Sequence, residues 1–253
     1  MMQLMQRVSG RLRKQRPDAP GELELDRRFL ASRYLAGKGI EIGALHHPLP
    51  VPASAQVRYV DRLPIEGLRS HYPELAELPL VSVDLIDDGE TLTKVPDNSQ
   101  DFVIANHFLE HCEDPIRTLR TFFRVLRPGG ILYLAVPEKH HTFDGDRPVT
   151  TLAHLWADHR MGPSRSRHDH YQEWVRLDKK TDPVEVERSV ASLEARQYSI
   201  HFHVWDQPAW LEFVHAMQLH YLFQFEVLCQ HGIEMINVVR KPSTIRHQLL
   251  SCA

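Results

Sequence analysis

The stretch Gly37 to Asp61, GKGIEIGALHHPLPVPASAQVRYVD, limits what this chain can fold into more than any other. Ile40-Glu41-Ile42 is a short apolar run broken by one acid, and it ends at Gly43. A second short strand, Gln56 to Val60, ends at Asp61. A parallel α/β nucleoside site begins this way. A glycine at the end of the first strand lets a ligand approach the backbone with no Cβ in the way. A carboxylate about 20 residues on is placed to accept hydrogen bonds from ribose hydroxyls. The dinucleotide fingerprint is incomplete, because His46, His47 and Pro48 stand where two further glycines would be. A pyrophosphate needs that glycine-lined turn, and a nucleoside without phosphates does not. The stretch therefore argues for an adenosine-type ligand and against a nicotinamide dinucleotide.

Composition narrows the class. At 42% hydrophobic and 25% charged, the 253 residues can bury a core of one large domain, or one and a half. A net charge of -3 implies no bulk attraction to nucleic acid. Cys112, Cys229 and Cys252 are odd in number and widely spaced, so they form neither a disulfide framework nor a zinc motif, which suits a reducing cytoplasm. No apolar run is long enough for stable membrane insertion. The start, MMQLMQRVSGRLRKQR, is basic but lacks the apolar centre of a signal peptide, so residues 1–21 are expected to be a solvated arm.

Along the chain, Leu23 to Ala36 has helical spacing, with Gly37 and Gly39 as its expected stop. Three prolines between Pro48 and Pro52 forbid an immediate helix after Gly43. Glu66 to Leu78 is expected to be helical in part, broken at Pro73. Leu80 to Val83 is expected as a third strand and Asp101 to Ala105 as a fourth, with a turn at Asp88-Gly89 between them. Pro115 opens a helix that runs to Leu126 and stops at Pro128-Gly129-Gly130. Ile131 to Val136 is the fifth strand, and Pro208 to Leu222 is a further helix. Phe223–Leu228 and Glu234–Val239 then close the sheet as an antiparallel pair. Residues 137–206 interrupt this rhythm. They are polar, rich in His and Arg, and too long for an ordinary connection. Arg176 to Arg196 has the charge pattern of a helix within them. An insertion after the fifth strand lies at the carboxyl edge of the sheet, so it is expected to be a substrate cap. The core domain is then 22–136 with 207–242, and 243–253 is a tail.

The chain resembles the class I S-adenosylmethionine-dependent methyltransferases. The resemblance rests on IEIGA (40–44), YVD (59–61), DDGETL (87–92), DNSQDFVIANHFLEH (97–111) and RVLRPGGILYLAVP (124–137), and it covers about residues 37–137. It implies an α/β fold, a Rossmann-like doubly wound sheet of seven strands with the last antiparallel, and S-adenosyl-L-methionine as cofactor. It also implies that Glu41 and Gly43 face the methionine end, that Asp61 holds the ribose hydroxyls, and that Asp88 with the Gly89 backbone holds the adenine. Asn106 and His107 would close on the cofactor. The first loop departs from the family in lacking further glycines. EIGALHHPLPVP, TFDGDRP, TLAHLWADH and HFHVW look like a bacterial branch associated with glycan assembly.

Methyl transfer to oxygen needs an acceptor in line with the methyl group and a base for the hydroxyl proton, and histidine has the natural pKa for that base. His140, His141 and Asp144 follow the fifth strand. His154 and Asp158 are four apart and share a face if helical, and His201 and His203 share one if extended. Asp144, His154 and His203 are taken as the catalytic candidates. Together with Asp158 they also leave a divalent metal open, against the plainer reading of ordinary hydrogen bonding in a polar loop. Trp156, Trp174, Trp205 and Trp210 are candidates to stack on a sugar face, with core packing as the plainer reading. The expected reaction is methylation of a hydroxyl on a sugar, glycan or similar small acceptor, with no nucleic-acid partner and a homo-oligomer left open. The rivals are a non-catalytic Rossmann-like binding module, a methyltransferase for another small acceptor, and a nicotinamide oxidoreductase, which the missing glycines disfavour.

Overall fold

The computed structural model describes residues 25–177 and 182–243. The arm expected over 1–21, the tail from 244 on, Cys252 and residues 178–181 of the charged segment lie outside the described residues. The strands are β1 (Gly37–Ile42), β2 (Ala55–Asp61), β3 (Leu85–Ile86), β4 (Gln100–Asn106), β5 (Leu126–Pro137), β6 (Gln224–His231) and β7 (Glu234–Arg240). They form one seven-stranded sheet in the order β3-β2-β1-β4-β5-β7-β6. The first five run parallel, and β7 lies antiparallel between β5 and β6. The strand order turns back between β1 and β4, and ligands bind at the carboxyl ends beside such a switch point.

The helices are α1 (Arg27–Tyr34), α2 (Ile65–His71), α3 (Pro115–Val125), α4 (Leu152–Met161), α5 (Arg167–Arg176), α6 (Pro183–Ala195) and α7 (Gln207–Tyr221). Both faces of the sheet are covered. Phe122 of α3 and Trp210, Phe213 and Met217 of α7 pack with Val103, Leu132 and Val239 on one face. Leu30 and Ala31 of α1 pack with Phe102, Ile104, Tyr133 and Ile236 on the other. Trp205 and Trp210 belong to the first of these cores, so packing rather than sugar contact accounts for them.

Several boundaries differ from expectation: the helix expected over Arg176–Arg196 is Pro183–Ala195, after another that ends at Arg176, and three differences bear on the sheet. Gly37 and Gly39 do not end α1; they begin β1. Gly39 is required there because an added Cβ would stand 2.3 Å from the Phe102 ring and 2.4 Å from the Phe102 carbonyl. The third strand is Leu85–Ile86 rather than 80–83. Asp84 gives its N–H to Tyr59 and takes the Tyr59 N–H on its carboxylate, while Val81 is tied to Leu45, so the ladder with β2 starts only at Val60↔Leu85. Finally, β5 starts at Leu126, before the Pro-Gly-Gly turn. Gly129, at φ +81°, donates to the Lys241 carbonyl and Lys241 donates to Gly130, which carries the pairing through the turn.

Residues 137–206 hold α4, α5 and α6 and an apolar cluster of their own around Tyr171, Val175, Val190, Ile200 and Phe202. This segment reaches both sides of the switch point. Arg196 donates to the His71 carbonyl and Tyr198 to Glu74, beyond β2. Phe202 and His203 donate their N–H groups to the Glu110 carbonyl, beyond β4.

Candidate active site

The carboxyl ends of β1, β2 and β3 meet side by side. Gly43 takes a left-handed φ of +64° and donates to the Val60 carbonyl, and Asp87 donates to the Asp61 carbonyl. The Asp61 carboxylate accepts the Arg62 N–H at 2.7 Å, while the Arg62 guanidinium turns away to Tyr72 and His71. Burial with little compensation raises the Asp61 pKa to about 6. Asp88 is exposed and accepts the Glu90 N–H at 2.9 Å. Beneath it, buried Asp87 pins the loop through Asp88, Thr93 and Lys94. Gly89 is a glycine for packing: an added Cβ would lie 2.5 Å from Ile42 and 2.6 Å from the Phe108 ring. Phe108, which the sequence reading passed over, therefore closes against the ends of β1 and β3.

Two residues expected at the cofactor are held by other protein groups. Glu41 is 1% exposed, and its two oxygens take the Leu49 N–H at 2.9 and 3.1 Å, so it anchors the proline loop. Burial raises its pKa to about 7. His107, at φ +49°, places Nε2 2.9 Å from Glu234 and Nδ1 3.5 Å from Glu110. Burial lowers the His107 pKa, but the two carboxylates outweigh it and lift the value to about 9, while Arg27 shares Glu234. Glu234 and Glu110 were invisible to spacing, because one lies more than 100 residues from its partner and the other within a motif read as a whole. Asn106, by contrast, has both amide atoms buried without a hydrogen-bond partner. Asp61, the Gly43 backbone and this orphaned amide fit an adenosine-type ligand with a polar tail. Asp88 and Gly89 border the same edge.

Of the expected group, His154, Asp158 and His203 come together and Asp144 stands apart. Asp144 accepts from His201 Nδ1 at 2.7 Å and from Arg147 at 2.8 Å, and these partners hold its pKa low against burial. His201 is flanked by Phe143 and Trp174, with ring centroids 4.8 and 5.7 Å away, and by His111 at 4.7 Å. His154 instead meets Asp158 at 3.0 Å, the helical i,i+4 pair, and His170 at 3.1 Å. His203 lies with them, 5.3 Å from His170 between ring centroids. The two groups separate because α5 brings His170 against α4, a contact no local spacing announces. His140 and His141 are clipped to Glu138 at 2.8 and 2.7 Å on a half-exposed turn. His46 and His47 stack on each other at 3.8 Å.

Residues 53–134 match a family model described as a methyltransferase domain. That stretch, about a third of the chain, is similar to methyltransferase domains. The seven-stranded sheet with its last strand antiparallel is the one the resemblance implies. No curated relative matches the chain. Among solved structures, it is similar to an S-adenosylmethionine-dependent methyltransferase from Aquifex aeolicus, at 13% identity and TM-score 0.42, over 82% of each chain. It is also similar to the CurJ carbon methyltransferase, at 15% identity and TM-score 0.42, over 83% of this chain and 49% of that one. A third is a Haloferax volcanii protein in complex with the Trm112 methyltransferase activator, at 14% identity and TM-score 0.47, over 85% of this chain and 86% of that one. These likenesses concern shape alone. No described helix is long and apolar enough to cross a membrane.

Proposed function

We propose that this chain is an S-adenosylmethionine-dependent methyltransferase that acts on a hydroxyl of a sugar, glycan or similar small acceptor, with His201 as the base. The observation that carries the proposal is the Asp144–His201 pair, 2.7 Å long, held beside Glu110 and His111 at the carboxyl edge of the sheet. In this reading Asp61 holds the ribose hydroxyls, the Gly43 backbone and the Asn106 amide face the methionine end, and Asp88 with Gly89 borders the adenine. When bound, S-adenosylmethionine supplies a methyl group made electrophilic by its sulfonium. Asp144 fixes the imidazole with a proton on Nδ1, which leaves Nε2 as the accepting atom. His201 Nε2 would take the proton of the acceptor hydroxyl and so ready its oxygen for the methyl group that the cofactor would supply. Phe143 and Trp174 beside the imidazole offer the aromatic faces on which sugar rings stack, which supports a sugar over a smaller alcohol.

Calorimetry with S-adenosylhomocysteine tests the cofactor half, and folded protein that shows no binding at millimolar ligand ends it. Transfer of labelled methyl to a panel of sugars and oligosaccharides tests the base. His201→Ala and Asp144→Asn should each cut turnover by about 10²–10⁴-fold with cofactor affinity unchanged. Undiminished turnover in His201→Ala removes the base assignment. Cofactor binding with no transfer to any acceptor would favour the binding-module reading instead.

A further inference from the structure

Behind that dyad, within residues 137–206, His154, His170 and His203 converge and take no part in the reaction as proposed. Their ligand atoms lie within 4.8 Å of one another. His154 Nε2 and His170 Nε2 stand 3.1 Å apart, and Asp158 Oδ2 is 3.0 Å from the same His154 nitrogen. Ring centroids are 5.1 Å apart for His154 and His170, 5.3 Å for His170 and His203, and 6.0 Å for His154 and His203. Imidazoles bound at about 2 Å to one tetrahedral ion place their nitrogens about 3.3 Å apart and their ring centres about 5 Å apart. The His154–His170 and His170–His203 ring spacings match that pattern, and His154–His203 is about an ångström wider.

One orphaned atom points the same way. His203 is 1% exposed and its Nδ1 has no hydrogen-bond partner. A buried polar atom is rarely left so, because its lost hydration goes uncompensated. The surrounding groups hold the donors in place as outer partners do in metal sites. His203 Nε2 lies 3.4 Å from the Glu113 carbonyl, and Asp158 Oδ1 takes the Ser166 hydroxyl at 2.8 Å. Arg147 is the nearby cation, and its charge is met by Asp144 and Glu173.

We propose that His154, His170, His203 and Asp158 form a structural zinc site that clamps α4, α5 and the segment around His203 together. Three imidazole nitrogens, which are borderline donors, with one harder carboxylate oxygen suit zinc in tetrahedral geometry, and four protein ligands leave no open position for substrate. His203 lies two residues along from His201, so the site fixes the backbone that presents the dyad.

The test uses the full chain without a histidine tag, with zinc measured by plasma mass spectrometry. About one zinc per chain is expected. After chelation, cobalt titration should give the visible absorption of a tetrahedral site. Asp158→Asn and His170→Ala should each weaken cobalt binding about tenfold or more, while His111→Ala, in the neighbouring Glu110–His111–His201 group, should leave it unchanged. Asp158→Asn preserves size, so it keeps the test alive if His170→Ala fails to fold by circular dichroism. Protein that carries no zinc and takes up no cobalt overturns the site, and so does uptake lost in His111→Ala but kept in His170→Ala. Neither readout involves methyl transfer, so the site and the proposed reaction fail separately.

Discussion

At the scale of single residues, Asp61 shows how burial that Arg62 offsets only in part makes the charge of a proposed binding group pH-dependent. A carboxylate accepts from ribose hydroxyls, and its protonated form gives up acceptor capacity. With its pKa at about 6, the ionised fraction falls roughly tenfold between pH 7 and pH 5. S-adenosylhomocysteine affinity should fall in step, and Asp61→Asn should bind weakly with a flat profile. Calorimetry across that range decides it, and a flat wild-type profile would rule out Asp61 as the ribose acceptor. The place of Asp61 was legible because it closes a strand, β2. His201 was named only as the neighbour of His203, because the partner that distinguishes it, Asp144, lies 57 residues away.

At the scale of elements, helix starts were written locally. Asp26, Thr151, Asp182 and Asp206 each accept an N–H from the first turn of the helix that follows. Asp114 does the same for α3 through Arg117, and it also takes His159 of α4 at 3.1 Å. It is 3% exposed, so both contacts are shielded from water. Asp114→Ala should cost about 2 kcal/mol in urea unfolding, and Asp114→Asn should recover most of it by keeping the cap. Equal losses in the two variants would show that the cap contributes nothing. Strand ends were harder to read than helix starts. The third strand slipped from 80–83 to Leu85–Ile86 because pairing with β2, and not propensity, sets where a ladder begins.

At the scale of the whole molecule, Arg27, Glu234, His107 and Glu110 tie α1, β7 and the turn after β4 into one charged chain. His107, raised from 6.5 to about 9, contributes stability that is full below pH 6.5 and is lost as pH rises through 9. Glu234, lowered from 4.5 to about 2, contributes stability that is full above pH 4.5 and is lost as pH falls through 2. The melting temperature should therefore fall on both sides of that window. Glu234→Gln should cost about 3 kcal/mol and flatten both limbs, since it strips Arg27 and His107 of their shared carboxylate. A variant whose pH profile runs parallel to the wild type would remove this network from the account. The sequence by itself determined the Gly43–Asp61 edge, because a glycine and a carboxylate at successive strand ends are local features, while the doubly wound sheet was what the family resemblance implied. Only the tertiary structure decided the distant histidine–acid pairs. His201 meets Asp144 across 57 residues and His107 meets Glu234 across 127, and nothing in the intervening chain encodes the contact until the sheet and its insertion have packed.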